Sequence, residues 1–277
     1  MKYVSKAPPS DDINVSPEHP LKEAAILISG LTAVFTLLAA ALIFFVDLVV
    51  FFVPPETEAR LFASWWPIDL YSTEAEDPRA SATRALLERL ARHWPDSAYT
   101  FRLGVMEDDS PNAMALPGGL IVVTTGLLDR VGTENELAFV LGHELGHFQN
   151  RDHIQALGRG IALSMMVAAI GSGDGGGALG LTVADLTLRG FSRAQEGAAD
   201  RFGLEIVQRE YEHVNESWGF FDRLLEEDAT SRDLLIYLST HPSADDRIAT
   251  LKAYARERDW PLTGPTALPA WQAAHED

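Results

Sequence analysis

Two histidines lie four residues apart in the stretch Leu141-Gly142-His143-Glu144-Leu145-Gly146-His147, which follows the pattern HExxH. On a helix, residues four apart share one face, so both imidazoles can bind a single ion. Glu144 flanks the same face, which places a carboxylate beside a metal-bound water. Neutral nitrogen ligands, an open coordination position and a general base are the parts that a zinc hydrolase site needs.

The residues around this pattern predict an amphipathic helix over about residues 134–149. Thr133 is followed three residues later by Glu136, which is the pattern of a capping box. Apolar residues then recur at helical spacing, namely Leu137, Val140, Leu141, Leu145 and Phe148. The helical context makes a chance occurrence of the pattern on an unrelated surface an unfavoured interpretation.

A zinc site needs at least one more protein ligand, and two candidates follow the motif. Glu196 and Asp200 are four residues apart in a second predicted helix, so one can bind the metal while the other accepts the N–H of a ligand histidine. Pairing with nearby arginines is the alternative for these carboxylates. His153 lies ten residues after His143, at the spacing of the metzincin pattern, but Asn150 stands where that pattern has glycine. If the helix continues through Asn150, His153 points away from the metal.

Four stretches of the chain carry further recognisable patterns: NAMALPGG at 112–119, HELGHFQNRDH at 143–153, SRAQEGAAD at 192–200 and THPSADDRI at 240–248. In this order they resemble the M48 peptidases, the Ste24/HtpX-like zinc endopeptidases of membranes, over roughly residues 80–251. The resemblance implies a gluzincin-type α+β fold, mainly α-helical, with a small β-sheet. It also implies that His143, His147 and Glu196 bind one Zn²⁺, that Glu144 is the catalytic base, and that Asp200 supports the site without binding the metal.

Two residues of the last stretch, His241 and Arg247, have more than one interpretation. They could stabilise the oxyanion of the tetrahedral intermediate. His241 could instead occupy the open metal position in a resting state. A purely structural role, with Arg247 paired to a carboxylate, is the third possibility.

A β-hairpin is predicted for residues 113–116 and 120–125, around Pro117-Gly118-Gly119. Its outer strand could pair with an extended peptide substrate, as peptides often add to a free sheet edge. This edge consists of Asn112, Ala113, Met114, Ala115 and Leu116. A plain structural hairpin is the alternative.

Composition excludes several other classes of site. The formal net charge of −18 argues against nucleic acid as a partner and against a basic patch that binds anionic lipid. The chain has no cysteine, which excludes disulfides, thiol catalysis and cysteine-bound zinc. The glycine run at 171–177 lacks the Lys-Ser or Lys-Thr of a phosphate-binding loop, so no nucleotide is expected.

Residues 24–53 are apolar except for Asp47. As a helix they would be about 45 Å long against a hydrocarbon core of about 30 Å, which predicts one tilted transmembrane helix in contact with lipid. A buried core helix is the alternative. Lys6 and Lys22 precede this segment and Arg60 follows it. The positive-inside rule then predicts a bacterial inner-membrane protein with its catalytic domain outside the cytoplasm.

The remaining boundaries follow from local patterns. We expect a flexible tail at 1–23, a linker at 54–79, the peptidase domain at 80–258 and a loosely held tail at 259–277. Helices are predicted at 80–94, 154–170, 178–188, 205–227 and 233–238, and a strand at 99–106. The glycine run would form the tip of a helical hairpin that covers the site or dips into the membrane surface.

The predicted activity is metal-assisted hydrolysis of peptide bonds in membrane-associated or misfolded proteins. Glu144 would take a proton from the attacking water and pass it to the leaving amine. One alternative is a non-proteolytic chaperone or scaffold with a structural zinc, although a structural site does not need Glu144. Another is a non-haem iron enzyme that uses two histidines and one carboxylate.

Overall fold

The computed structural model describes residues 20–65, 78–170, 191–226, 240–241 and 247–269. The predicted helices at 178–188 and 233–238, the glycine run and most of the N-terminal tail lie outside these residues. Within the described ranges the chain forms nine helices and three strands, which confirms an α+β fold that is mainly helical. The helices are α1 (Pro20–Phe52), α2 (Pro55–Phe62), α3 (Pro78–Ala91), α4 (Thr125–Arg130), α5 (Glu134–Asn150), α6 (Asp152–Ile170), α7 (Arg193–Tyr211), α8 (Gly219–Glu226) and α9 (Arg247–Arg256).

The sheet has three strands in the order β1 (Arg102–Met106), β3 (Leu120–Thr124) and β2 (Ala113–Leu116). β1 runs parallel to β3, with Leu103 opposite Ile121, and β2 runs antiparallel to β3, with Ala115 opposite Ile121. The predicted hairpin is therefore confirmed. Its turn requires glycine, because Gly118 and Gly119 have φ values of 88° and 87°.

Helix α5 is the centre of the domain, and every residue from Asn135 to Phe148 is buried. It packs against α3, α6, α7 and β2. The helix is therefore covered on all sides, and the predicted amphipathic surface helix is wrong in that respect. The predicted capping box is half formed: the Thr133 side chain accepts the N–H of Glu136, whereas the Glu136 carboxylate accepts the Gly132 N–H at 2.7 Å.

Glycines allow α5 and α7 to approach closely. A Cβ added to Gly146 would lie 2.7 Å from the Ala199 Cα, and one added to Gly142 would lie 3.0 Å from the Gly203 Cα. Since real Cβ contacts of this length do not occur with backbone atoms, larger residues would force the helices apart. The close approach brings the start of α7 against the HExxH turn.

The helix predicted at 205–227 is interrupted between α7 and α8. Glu212 ends α7 in the left-handed conformation, with φ 64°, and the Val214 N–H then donates to the Pro261 carbonyl. Further along, the Glu134 N–H donates to the Ala267 carbonyl at 2.9 Å. Residues 259–269 are thus hydrogen-bonded across the domain, contrary to the loose attachment predicted for this part of the chain.

Helix α1 is the one helix in the described ranges that is long and apolar enough to cross a membrane, by length and composition. Val50 is its only buried residue, which contradicts the alternative of a buried core helix. The C-terminal half of α1 packs along α6. The contact includes a two-pronged ion pair in which Arg159 donates to both carboxylate oxygens of Asp47, at 2.8 and 2.7 Å.

Helix α2 lies inside the predicted linker and is attached to the domain through a buried carboxylate. Glu58 Oε1 is 2.5 Å from His153 Nε2, and Glu58 Oε2 accepts from Arg151 Nη2 at 3.0 Å. Arg151 also donates to the Val50 and Val53 carbonyls at 2.8 and 2.5 Å. The turn after the HExxH helix therefore holds the end of α1.

Candidate metal centre

Four buried side chains converge at the HExxH turn. Ligand atoms of His143, His147, Glu196 and His241 all lie within 4.8 Å of one another. The two histidines come from α5, Glu196 from the first turn of α7, and His241 from the short described segment before α9. Three of these four were predicted as metal ligands from the sequence, and the fold brings them together.

The distances between the donor atoms match those around a tetrahedral ion. His143 Nε2 is 3.1 Å from His147 Nε2, and each lies 3.5 Å from a Glu196 carboxylate oxygen. His241 Nδ1 is 3.3 Å from both His143 Nε2 and Glu196 Oε1. Ligands bound at 2.0–2.1 Å in a tetrahedron are about 3.3 Å apart, so the four donors fit one zinc-sized ion.

Two buried carboxylate oxygens at the site are left without a hydrogen-bond donor among the described residues. They are Glu144 Oε2 and Glu196 Oε2. A buried carboxylate oxygen without a partner is costly, and proteins usually satisfy such atoms with water or an ion. Glu144 Oε1 lies 3.7 Å from His241 Nε2, so this carboxylate borders the cluster. The pair of free oxygens fits a metal beside Glu196 and a water beside Glu144.

His143 is held from behind by Asp200. Its Nδ1 lies 2.8 Å from Asp200 Oδ1, so the imidazole donates there and keeps Nε2 free for a metal. Arg247 in turn donates to both oxygens of Asp200, at 2.8 and 2.5 Å. Arg247 therefore forms the carboxylate pair of its structural interpretation, and its role in oxyanion stabilisation stays a prediction.

His147 has a separate carboxylate, which sequence reasoning missed. Its Nδ1 lies 2.9 Å from Asp152 Oδ2, and Asp152 Oδ1 accepts from Gln195 Nε2 at 2.7 Å. The ring of Phe191 stacks on the His147 imidazole at a centroid distance of 3.9 Å. A signal was present in the sequence: Asp152 lies five residues after His147, within reach if a tight turn ends the helix.

The two histidines differ in proton affinity in the metal-free protein. Burial lowers the pKa of His143 and outweighs the Asp200 hydrogen bond and the charge of Glu196, which raise it. Burial also opposes the charge on His147, but hydrogen bonds to Asp152 and Glu196 outweigh it and raise the pKa of His147 to about 9. Glu196 would be protonated more easily by burial alone, yet the neighbouring histidines hold its pKa well below the usual range.

His153, the alternative third ligand, lies outside the cluster. Its Nδ1 is 3.2 Å from the His147 carbonyl oxygen, and its Nε2 is on Glu58. Helix α5 ends at Asn150, and the left-handed residue that follows is Arg151, with φ 60°. The metzincin interpretation is therefore wrong, and His153 is a histidine at the helix end.

The predicted substrate edge lies beside the cluster. His241 Nε2 is 3.3 Å from the Ala113 carbonyl, and Thr240 Oγ1 is 3.3 Å from Asn112 Oδ1. A small pocket is lined by residues 113–116 of β2 together with Phe191, Thr240 and His241. The structure thus places β2 against the segment that carries His241.

The profile of Peptidase family M48 matches residues 79–255, which is well over half of the chain. The chain belongs to peptidase family M48. Peptidases of this family are metal-dependent, and the buried histidine-rich cluster lies inside the matched region.

Individual relatives in the family are similar over shorter parts of their own length. The chain is 29% identical over 200 residues to the mitochondrial metalloendopeptidase OMA1 of Schizosaccharomyces pombe, covering 72% of this chain and 56% of that protein. It is 30% identical over 197 residues to the mitochondrial metalloendopeptidase OMA1 of Danio rerio, covering 64% and 41%. It is 28% identical over 182 residues to the beta-barrel assembly-enhancing protease of Escherichia coli, covering 61% and 37%. The chain thus spans less than two thirds of the length of these relatives.

Proposed function

We propose that this M48 family member is a zinc-dependent endopeptidase. The observation that carries the proposal is the convergence of His143 Nε2, His147 Nε2 and the Glu196 carboxylate beside Glu144. These three residues would hold the ion. When bound, zinc lowers the pKa of a water and polarises the peptide carbonyl.

The chain's own residues supply the remaining chemistry. Glu144 accepts the proton of the attacking water and returns it to the nitrogen of the leaving amine. Its buried oxygen without a donor supports this role, because a general base must keep a lone pair free. Asp200 holds the proton on His143 Nδ1, and so keeps the other ring nitrogen available for the ion.

His241 is proposed to occupy the fourth metal position in a resting state. Its Nδ1 faces the three other donors, which supports this role over the oxyanion role. Replacement of His241 by alanine separates the two. A resting-state ligand predicts faster peptide cleavage and weaker zinc binding, whereas an oxyanion donor predicts slower cleavage with unchanged zinc binding.

The substrate is proposed to be an extended segment of a membrane-associated or misfolded protein. It would pair with the edge strand of residues 112–116, which lies beside His241. The acidic chain supports neither a nucleic acid nor a nucleotide as partner.

The apolar segment 24–53 is proposed to cross a bacterial inner membrane, in contact with lipid, with the catalytic domain outside the cytoplasm. The exposed apolar surface of α1 supports the insertion. Because the chain has no cysteine, a single Glu257→Cys variant can test the orientation. Labelling of intact cells by a membrane-impermeant maleimide is expected, and labelling only after lysis would reverse the topology.

The decisive experiment compares the wild type with Glu144→Gln, purified in detergent, with Glu88→Gln on exposed α3 surface as the matched control. We expect about one zinc per chain in all three proteins by mass spectrometry. Cleavage of a carboxymethylated protein should fall about 10²–10⁴-fold in Glu144→Gln alone, as expected for loss of a general base. 1,10-Phenanthroline should stop the wild type.

Other outcomes point to the alternatives. Zinc in every variant without cleavage under any condition would favour the chaperone or scaffold role. Iron in place of zinc would favour a two-histidine, one-carboxylate oxygenase.

A further inference from the structure

Asp152 is buried and accepts two hydrogen bonds that come from different helices. One oxygen faces His147 Nδ1 at 2.9 Å, and the other accepts from Gln195 Nε2 at 2.7 Å. Asp152 lies in the first turn of α6 and Gln195 in the first turn of α7. The aspartate therefore links the HExxH helix to the helix that carries Glu196.

The amide of Gln195 can face Asp152 in one orientation only. Ser192 and Gln195 form a capping box at the start of α7, in which Gln195 Oε1 accepts the Ser192 backbone N–H at 3.0 Å. The same oxygen accepts from Ser192 Oγ at 2.9 Å. Since a backbone N–H can only donate, the oxygen of the amide must lie at the cap, and its NH₂ group must point to Asp152.

Only a carboxylate satisfies this position when His147 binds a metal. A histidine that binds through Nε2 carries its proton on Nδ1 and donates from it. Residue 152 then faces two donors, His147 Nδ1–H and Gln195 Nε2–H. An asparagine would present its NH₂ group to one of them. If it faced His147, the ring would move its proton to Nε2, the nitrogen that lies 3.1 Å from His143 Nε2.

We propose that Asp152 and Gln195 are positioning residues that hold His147 in the tautomer that binds the metal through Nε2. The proposal rests on the proposed metal site but not on peptidase activity. Gln195 also directly precedes Glu196, so the same cap sets the start of the helix that supplies the third ligand. The capping box of α7 and the orientation of His147 are therefore one connected unit.

The test exchanges the polarity of the pair. Asp152→Asn places an amide between two donors, and Gln195→Glu places two carboxylates together. The double variant D152N/Q195E removes both conflicts: the new amide donates to the new carboxylate, and its oxygen accepts from His147. A glutamate at the third helical position still closes a capping box, so the helix start is retained.

The measurement is the Kd for zinc of the full chain in detergent, by competition with a chromophoric chelator. Each single variant is expected to bind zinc about 10–100-fold more weakly, as seen when a carboxylate behind a ligand histidine is altered. The double variant should recover to within about threefold of the wild type, because hydrogen-bonded neighbours do not act additively. Asp129→Asn, an exposed aspartate paired with Arg79, is the control for the exchange itself.

Two results would overturn the proposal: single variants that bind zinc like the wild type, or a double variant as weak as the two losses combined. Thermal unfolding of each metal-free protein shows whether a variant has folded, and a recovered double variant cannot arise from misfolding. If the wild type binds zinc but cleaves no peptide, the peptidase proposal fails while this one is still decided by the Kd values.

Discussion

The two histidines of the HExxH turn carry the same kind of support, but it reaches them by different routes. Asp200, which holds His143, comes from α7 and is 57 residues away in sequence. Asp152, which holds His147, is five residues away and lies in the turn that ends α5. One ligand thus depends on how two helices pack, and the other mainly on its own turn.

The charges behind the two aspartates also differ. Asp200 faces the Arg247 guanidinium, which lies 4.4 Å from the Phe221 ring centroid in a buried stack, and this cation offsets its negative charge. Asp152 faces the neutral amide of Gln195, so its negative charge acts more fully on His147. The difference accords with a lowered pKa for His143 and a pKa of about 9 for His147. Neighbouring charge, and not the identity of the ligand, decides which histidine holds a proton before metal binds.

The largest expected effect comes from separating the helices on the Asp200 side. In Gly146→Ala the new Cβ would lie 2.7 Å from the Ala199 Cα and 2.9 Å from its carbonyl oxygen, so α7 must move. Such overpacking typically costs about 1–3 kcal/mol of stability. Asp200 and Glu196 move with α7, and we expect zinc affinity to fall about 100-fold or more, which is about 3 kcal/mol.

Gly197→Ala on α7 is the matched control for this variant. A Cβ there would meet only the Arg201 guanidinium, at 3.6 Å. Unchanged zinc affinity is expected, with stability equal to or up to about 1 kcal/mol above the wild type from helix propensity. If Gly146→Ala binds zinc as tightly as Gly197→Ala, close packing of α5 and α7 does not set the Asp200 side of the site.

An intermediate effect is expected from pH, and it acts on the Asp152 side. In the metal-free protein the proton on His147 stabilises the fold; this contribution is complete below pH 6.5 and is lost as pH rises through about 9. Metal binding must release the same proton, so zinc affinity should rise with pH up to about 9, by at most about tenfold per unit. His143 adds little to this slope, because its pKa is lowered.

Zinc Kd values between pH 6.5 and 9.5 test this difference. The slope should flatten in Asp152→Asn, which lowers the pKa of His147, and should persist in Asp129→Asn. A wild-type affinity that is constant over this range would mean that both histidines are neutral in the metal-free protein.

The smallest effect is expected from Phe191, whose ring stacks on the His147 imidazole at 3.9 Å with an angle of 28° between the planes. Phe191→Leu keeps an apolar cover but removes the stacking, which is worth about 0.5–1.5 kcal/mol. Zinc binding should weaken by about 2–10-fold at equilibrium. Phe44→Leu, on the exposed surface of α1, is the control. An equal loss in both variants would assign the effect to general stability and remove Phe191 from the comparison.

Local spacing in the sequence was sufficient for much of this protein. The HExxH pattern determined that His143 and His147 share one helical face, and the four-residue spacing determined the same for Glu196 and Asp200. The paired apolar runs around Gly118 and Gly119 determined the hairpin, since only glycine tolerates the positive φ values of that turn. Each of these features depends on residues a few positions apart.

Only the tertiary structure decided what meets across longer distances. The burial of α5 on every side, the hydrogen bond of Gln195 to Asp152 over 43 residues, and the attachment of residues 259–269 depend on how helices pack. Periodicity shows which residues share a face, but not which face of another element covers it. The left-handed turn at Arg151 carries no glycine to announce it, and this turn aims Asp152 at His147. The metal ligands were therefore legible in the sequence, while the residues that orient them were set by packing.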